Sequence, residues 1–276
     1  MRWFATLAST LVLCAYAVPV KADSVVINTG NPDGLMATAS QPSSAGKLEI
    51  ETADDFILSQ DTAITGGTFM GLLPTGAALS SVLGVTIEFY RVFPLDSTDP
   101  PNGAVLTRVN SPSDVAFDSR SSSSSNLNFT TAVLNGSFTA ANSVVNGIHP
   151  FPNQFTGGEG PVTGQEVQFT FSINPDSLPA DHYFFVPQVQ LSDGTFLWLS
   201  APKPIVAPGQ PFLPDLQTWI RDANLDPNWS RVGTDITHQG PFNAAFSLNG
   251  TPTPEPSPLL LIGAGMLGLV MLKRKA

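Results

Sequence analysis

The chain of 276 residues has one cysteine, three histidines and only 12 lysines and arginines. Each shortage excludes some chemistry. Cys14 lies in the apolar run that opens the chain. A body freed of that run has no disulfide, no thiolate nucleophile and no thiolate metal ligand. Its stability must come from its own core. His149, His182 and His238 stand far apart, with no H-E-x-x-H and no Cys/His set for zinc, and loop or surface positions are expected for them. No G-x-S-x-G marks a serine hydrolase. All 22 acidic residues except Glu255 lie between Asp23 and Thr253, against 7 of the 12 basic ones, which leaves that body at about −14. Such a surface repels nucleic acid and anionic lipid, so nucleic-acid binding is set aside. Loose attraction of divalent cations remains open.

The two ends differ from this body. Met1 and Arg2 are followed by an almost wholly apolar stretch, 3–18, then Pro19 and Val20-Lys21-Ala22. The small residues at Val20 and Ala22 suit signal peptidase, so residues 1–22 read as a signal peptide cut between Ala22 and Asp23. An uncleaved anchor is the competing reading, and the run is short for one. A lipidated Cys14 is a further alternative, disfavoured by the bulk of Leu13.

At the other end an uncharged apolar run of 14 residues, from Leu259 through Leu272, is closed by Lys273, Arg274 and Lys275. As a helix it spans about 21 Å, against a hydrocarbon core of about 30 Å. It inserts if the lysines snorkel and the bilayer thins. A buried core helix is the rival, but a proline-rich spacer precedes this run and three cations follow it. The cations belong in the cytoplasm, which puts the body outside. Within the run, Gly263-Ala264-Gly265-Met266-Leu267-Gly268 reads G-x-G-x-x-G. It lacks the preceding strand and the later acidic residue of a dinucleotide site. Its glycines suit a membrane helix better.

Pro254-Glu255-Pro256, the run from Leu259 to Leu272 and the cluster Lys273, Arg274, Lys275 together resemble the PEP-CTERM sorting domain of Gram-negative bacteria. The resemblance implies recognition by an exosortase, a membrane-embedded cysteine protease cutting near Pro-Glu-Pro, and an association with exopolysaccharide and surface display. The prolines keep the backbone extended for a protease, and Glu255 is the one charge available there as a recognition handle.

Between the ends, short apolar–polar alternations recur among the turns supplied by 25 prolines and 23 glycines. Residues 47–50, 54–58, 85–93, 166–173 and 242–248 read as strands. Residues 183–191 and 195–200 flank Ser192-Asp193-Gly194, and 130–134 and 137–140 flank Asn135-Gly136; each set reads as a hairpin. One short helix is expected after Pro214-Asp215, with Leu216, Trp219 and Ile220 on one face and Pro227 limiting its end. The fold class is therefore all-β: an antiparallel, jelly-roll-like β-sandwich over 23–250, a Pro-rich linker over 251–258 and a transmembrane helix with basic tail over 259–276. Residues 121–125, all serine, read as a solvated loop. The body also loosely resembles domains attached to PEP-CTERM tails, through Ala53-Asp54-Asp55-Phe56, Leu225-Asp226-Pro227-Asn228-Trp229 and residues 242–248; no activity follows from that.

Three constellations bear on chemistry. Asp54 and Asp55 are adjacent on a strand and point to opposite faces, which argues against a glycosidase pair. Asp222, Asn224, Asp226 and Asn228 put oxygens at alternate positions, a candidate calcium loop; Pro227 and Gly233 break the EF-hand pattern, and an Asx turn explains the same residues. Among Trp198, Trp219, Trp229 and Tyr183, Trp229 is the best exposed candidate for stacking on a sugar. The sequons at Asn128, Asn135, Asn228 and Asn249 matter little in a bacterium. The leading expectation is a non-enzymatic envelope or matrix protein without a cofactor, partnered by an exosortase and the membrane. A module binding extracellular polysaccharide is second, and a hydrolase whose site assembles only in the fold is third.

Overall fold

A computed structural model describes residues 24–101, 103, 105, 107–148, 155–202 and 217–253. The signal segment with Ala22 and Asp23, the sorting residues Pro254, Glu255 and Pro256, the run from Leu259 to Leu272, the cations Lys273, Arg274 and Lys275, and His149 lie outside them.

The strands, in chain order, are β1 (Ser24–Asn28), β2 (Met36–Ala39), β3 (Ile50–Ile57), β4 (Thr62–Pro74), β5 (Val82–Arg91), β6 (Asp118–Ser121), β7 (Leu127–Ala140), β8 (Asn142–Val144), β9 (Val162–Leu178), β10 (His182–Leu191), β11 (Leu197–Ala201), β12 (Trp219–Asp222), β13 (Ser230–Arg231), β14 (Asn243–Ala244) and β15 (Phe246–Pro252). They form two packed sheets, the β-sandwich expected. The larger is built around β4. One side of β4 pairs with β9, and β9 with β7; the other side pairs with β15 along most of its length, and then with β11. β1 closes the path beyond β15, and β2 and β8 continue it beyond β11. The smaller sheet runs β13-β12-β3-β10-β5-β6. β2 and β8 pair in parallel, a departure from the antiparallel expectation.

Alternation along the strands makes the core. Phe56, Phe89, Tyr183 and Phe185 point inward from the smaller sheet, and Phe69, Phe169, Phe171, Trp198 and Phe246 from the larger. Phe185 sits at the centre, its ring 5.1 Å from Phe246, 5.7 Å from Phe171 and 5.8 Å from Trp198. Such offset and edge-on pairs add to burial and replace the disulfide that the body lacks. β4 is crowded on both edges, and a β-carbon at Gly67 would lie 2.1 Å from the Ser247 carbonyl oxygen. Glycine is what lets β15 approach there.

Several expectations are corrected. Asn135-Gly136 does not turn the chain: β7 passes through it as one strand, and the pairing with β9 shifts register on either side of Asn135. The two residues form a bulge because β9 is long enough to hold both halves. Ser192-Asp193-Gly194 is a turn, with Gly194 at φ +72°, but it joins two sheets, since β10 pairs with β3 and β5 while β11 pairs with β2 and β4. Trp219 and Ile220 are in strand β12, paired with Ala53 and Thr52 of β3, and Leu216 is outside the described residues. Three apolar residues at helical spacing are too few to outweigh a free strand edge. The helical segments described are the single turns Leu79–Ser81, Ser122–Ser124 and Val232–Ile236; the second falls in the serine-rich stretch read as a loop. β15 stays paired through Pro252 opposite Thr62, so the sandwich extends past residue 250 into the expected linker.

Candidate functional site

Two regions stand out. The first is the end of the sandwich from which both terminal segments leave. β1 and β15 are antiparallel neighbours, and Ser24 at the start of β1 lies opposite Gly250 near the end of β15. Thr253, just past β15, donates its backbone N–H to the Asp61 carbonyl at 2.8 Å. Ser24, the second residue after the expected signal cleavage, and the residues before Pro-Glu-Pro therefore sit side by side at one edge of one sheet.

The second region is the outer face of the smaller sheet. Glu51 of β3, Glu88 and Tyr90 of β5 and Arg221 of β12 meet there. Arg221 Nε donates to Glu51 Oε2, Nη2 donates to the Tyr90 hydroxyl at 3.0 Å, and Nη1 donates to Asp226 Oδ1 at 2.8 Å. The guanidinium also lies 4.4 Å from the Trp229 ring. The Tyr90 oxygen is 2.7 Å from Glu51 Oε1 and 3.1 Å from Glu88 Oε2. One phenolic proton cannot serve two carboxylates. The geometry is satisfied if Glu88 carries a proton: Ser119 donates to Glu88 Oε1 at 3.0 Å, Glu88 donates to Tyr90, and Tyr90 donates to Glu51. Burial, then the nearby charge of Glu51, accordingly pushes the Glu88 carboxyl up to about 7. Burial opposes the charge on Arg221, but Glu51 and its other partners more than offset this and raise it. Sequence reading missed this cluster. The available signal was the polar face of β5, where Thr86, Glu88 and Tyr90 follow one another with period two.

Trp229 belongs to this cluster and is fully buried, which corrects its reading as an exposed sugar platform. Its indole N–H donates to the Ser113 carbonyl at 3.0 Å and its ring meets Tyr90 edge-on at 5.5 Å. The segment between β5 and β6 covers it. Trp198, Trp219 and Tyr183 are buried as well.

The remaining candidates do not converge. Asp54 and Asp55 take opposite faces, and both are buried. Asp54 accepts from the Thr218 hydroxyl at 3.1 Å and the Ala244 N–H at 2.9 Å; burial, then the charge of Asp55, holds its carboxyl well above the usual range. Asp55 Oδ2 lies 2.9 Å from His182 Nε2, and burial raises it too. His182 is thus a strand residue, part-buried against Phe184 at 5.4 Å, not a loop histidine; His238 is exposed, its ring 4.1 Å from that of Phe155. Of the calcium candidates, Asp222 accepts from the backbone N–H groups of Asn224 and Leu225 at 3.0 and 2.9 Å, Asp226 is bound by Arg221, and Asn228 is buried. The first pair is the Asx turn of the alternative reading. Among the described residues no cluster of three His, Cys, Asp or Glu side chains could hold a metal. An apolar cavity of about 350 Å³ lies between Met36, Pro202 and Phe242. Its carboxylate, Asp33, is engaged by the Ser200 hydroxyl at 2.5 Å and the Leu35 N–H at 3.0 Å.

The architecture is that of a β-sandwich whose last strand leads straight into a C-terminal sorting signal, the arrangement of a protein exported and then sorted to membrane or surface. Residues 252–275 match the PEP-CTERM protein-sorting motif, and the match begins on the last residue of β15. The chain carries that motif and, with it, the mark of an exosortase-type processing partner. No curated protein and no solved structure matches the chain.

Proposed function

We propose that this is a non-catalytic envelope or extracellular-matrix protein. An N-terminal signal directs export, and a hydrophobic C-terminal segment holds the body outside the inner membrane until an exosortase cuts near Glu255. The observation that carries this reading is the pairing of Ser24 with Gly250. On this reading the signal and the tail leave from one end of the sandwich, and that end faces the membrane throughout export and anchoring. Arg274 and its neighbours hold the tail by staying cytoplasmic. The tightly partnered carboxylates of the body support a structural role for them.

Mass spectrometry of the C-terminus from the native host tests the processing. The expected mature species ends near Pro254, Glu255 and Pro256 and begins at Asp23. Glu255→Ala, or deletion of Lys273, Arg274 and Lys275, leaves most of the chain full length in the membrane fraction. Recovery of the released protein with its tail intact overturns the proposal.

A further inference from the structure

We propose that β7 is a self-association edge, through which two copies of this chain join their larger sheets by antiparallel β7–β7 pairing. β7 and β1 are the two outer strands of the path β7-β9-β4-β15-β1. Pairing at β7 therefore leaves the end that carries the tail free. Among the described residues β7 is bonded to a strand only on its β9 side. An open edge of this length is normally blunted by lysine, proline, inward charge or a bulge. β7 has only the bulge at Asn135, which leaves the stretch before it open: its 14 residues, LNFTTAVLNGSFTA, contain no Asp, Glu, Lys, Arg, His or Pro.

The charge distribution selects the occupant. A body at about −14 repels its own copies over most of its surface. β7 is an uncharged strip on which two such bodies can meet. An antiparallel edge is also self-complementary under a two-fold axis, so no second surface is required. The bulge at Asn135 limits the pairing segment. Register with β9 is unbroken from Leu127 opposite Ile173 to Val133 opposite Val167, a stretch rich in the residues that suit strands, Phe129, Thr130, Thr131 and Val133. Its midpoint is Thr130. The two-fold axis then passes at Thr130, setting Thr130 opposite its copy, Asn128 opposite Ala132 and Phe129 opposite Thr131. Thr130, Asn128 and Ala132 are exposed.

Cysteine crosslinking reads this register directly, because the natural chain has only Cys14. Directly opposed residues of an antiparallel pair have Cα atoms about 4.5–5.5 Å apart, within disulfide reach. The full chain is expressed in its exporting host with Thr130→Cys, oxidised mildly and run without reductant. The expected result is a disulfide-linked homodimer that the natural chain lacks. Ser137→Cys, also exposed but inside the register break between Asn135 and Phe138, gives roughly tenfold less, and so does Thr130→Cys combined with Asn128→Lys and Ala132→Lys, which sets lysine against lysine on both sides of the axis. A Thr130→Cys chain that stays monomeric, that links to a different polypeptide, or that links no better than Ser137→Cys overturns the proposal.

Discussion

Replacing Arg221 with methionine is expected to cost about 3–5 kcal/mol of folding stability at pH 8, the range for removing one member of a buried ion pair. Methionine keeps most of the volume, so the loss comes from charge and hydrogen bonding. The side chain of Arg221 is 7% exposed and that of Glu51 6%. Without the guanidinium, the Glu51 carboxylate keeps one hydrogen bond from Tyr90 and is left buried beside Glu88. The rings of Tyr90 and Trp229, 5.4 and 4.4 Å from the guanidinium carbon, lose a cation at the same time. Packing and charge are separated by a second change. Adding Glu51→Gln removes the stranded charge, and the double variant recovers most of the lost stability. Urea unfolding of the single and double variants checks this. A single variant within about 1 kcal/mol of the natural chain, the ordinary worth of an exposed pair, would show that the cluster does not hold β3, β5 and β12 together.

That cluster also shows where sequence reading ends. The tail was legible because its chemistry is linear: a spacer, an apolar run and a basic stop say what they are without reference to any other residue. β5, β9 and β10 were legible because alternation needs only the strand itself. Asn135-Gly136 was misread because turn chemistry is local and the strand that overrides it, β9, lies elsewhere in the chain. Trp229 was misread for the same reason, since the Ser113 carbonyl that receives its N–H is 116 positions away. Glu51 and Arg221 are 170 positions apart. Pattern shows which strand carries a charge. It does not show which two strands become neighbours, and the pairing of β12 with β3 is what turns two isolated charges into an ion pair.

Glu88 gives the fold an unusual dependence on pH. Its carboxyl titrates at about 7 in the folded chain against 4.5 in an unfolded one, so between those values the native state holds a proton that the unfolded state has released. Stability from this group is fully present below about pH 4.5 and is lost as pH rises through about 7, by about 3 kcal/mol in all. Asp54 and Asp55, both raised by burial, act with the same sign. Asp96, lowered by its hydrogen bond from Arg91, acts oppositely and only below its ordinary value of 3.8. The protein is therefore expected to be most stable near pH 4, well on the acid side of neutral. Glu88→Gln isolates the share due to this one carboxyl. Glutamine presents an oxygen to Ser119 and an N–H to Tyr90, as protonated Glu88 does, but cannot ionise. The variant should gain about 3 kcal/mol over the natural chain at pH 8, match it near pH 4, and show a flatter profile between. Thermal unfolding of both chains across this range decides the matter. A glutamine variant that is less stable at pH 8 with an unchanged slope would mean that Glu88 is ionised in the native protein throughout this range and that the single proton of Tyr90 is shared in some other way.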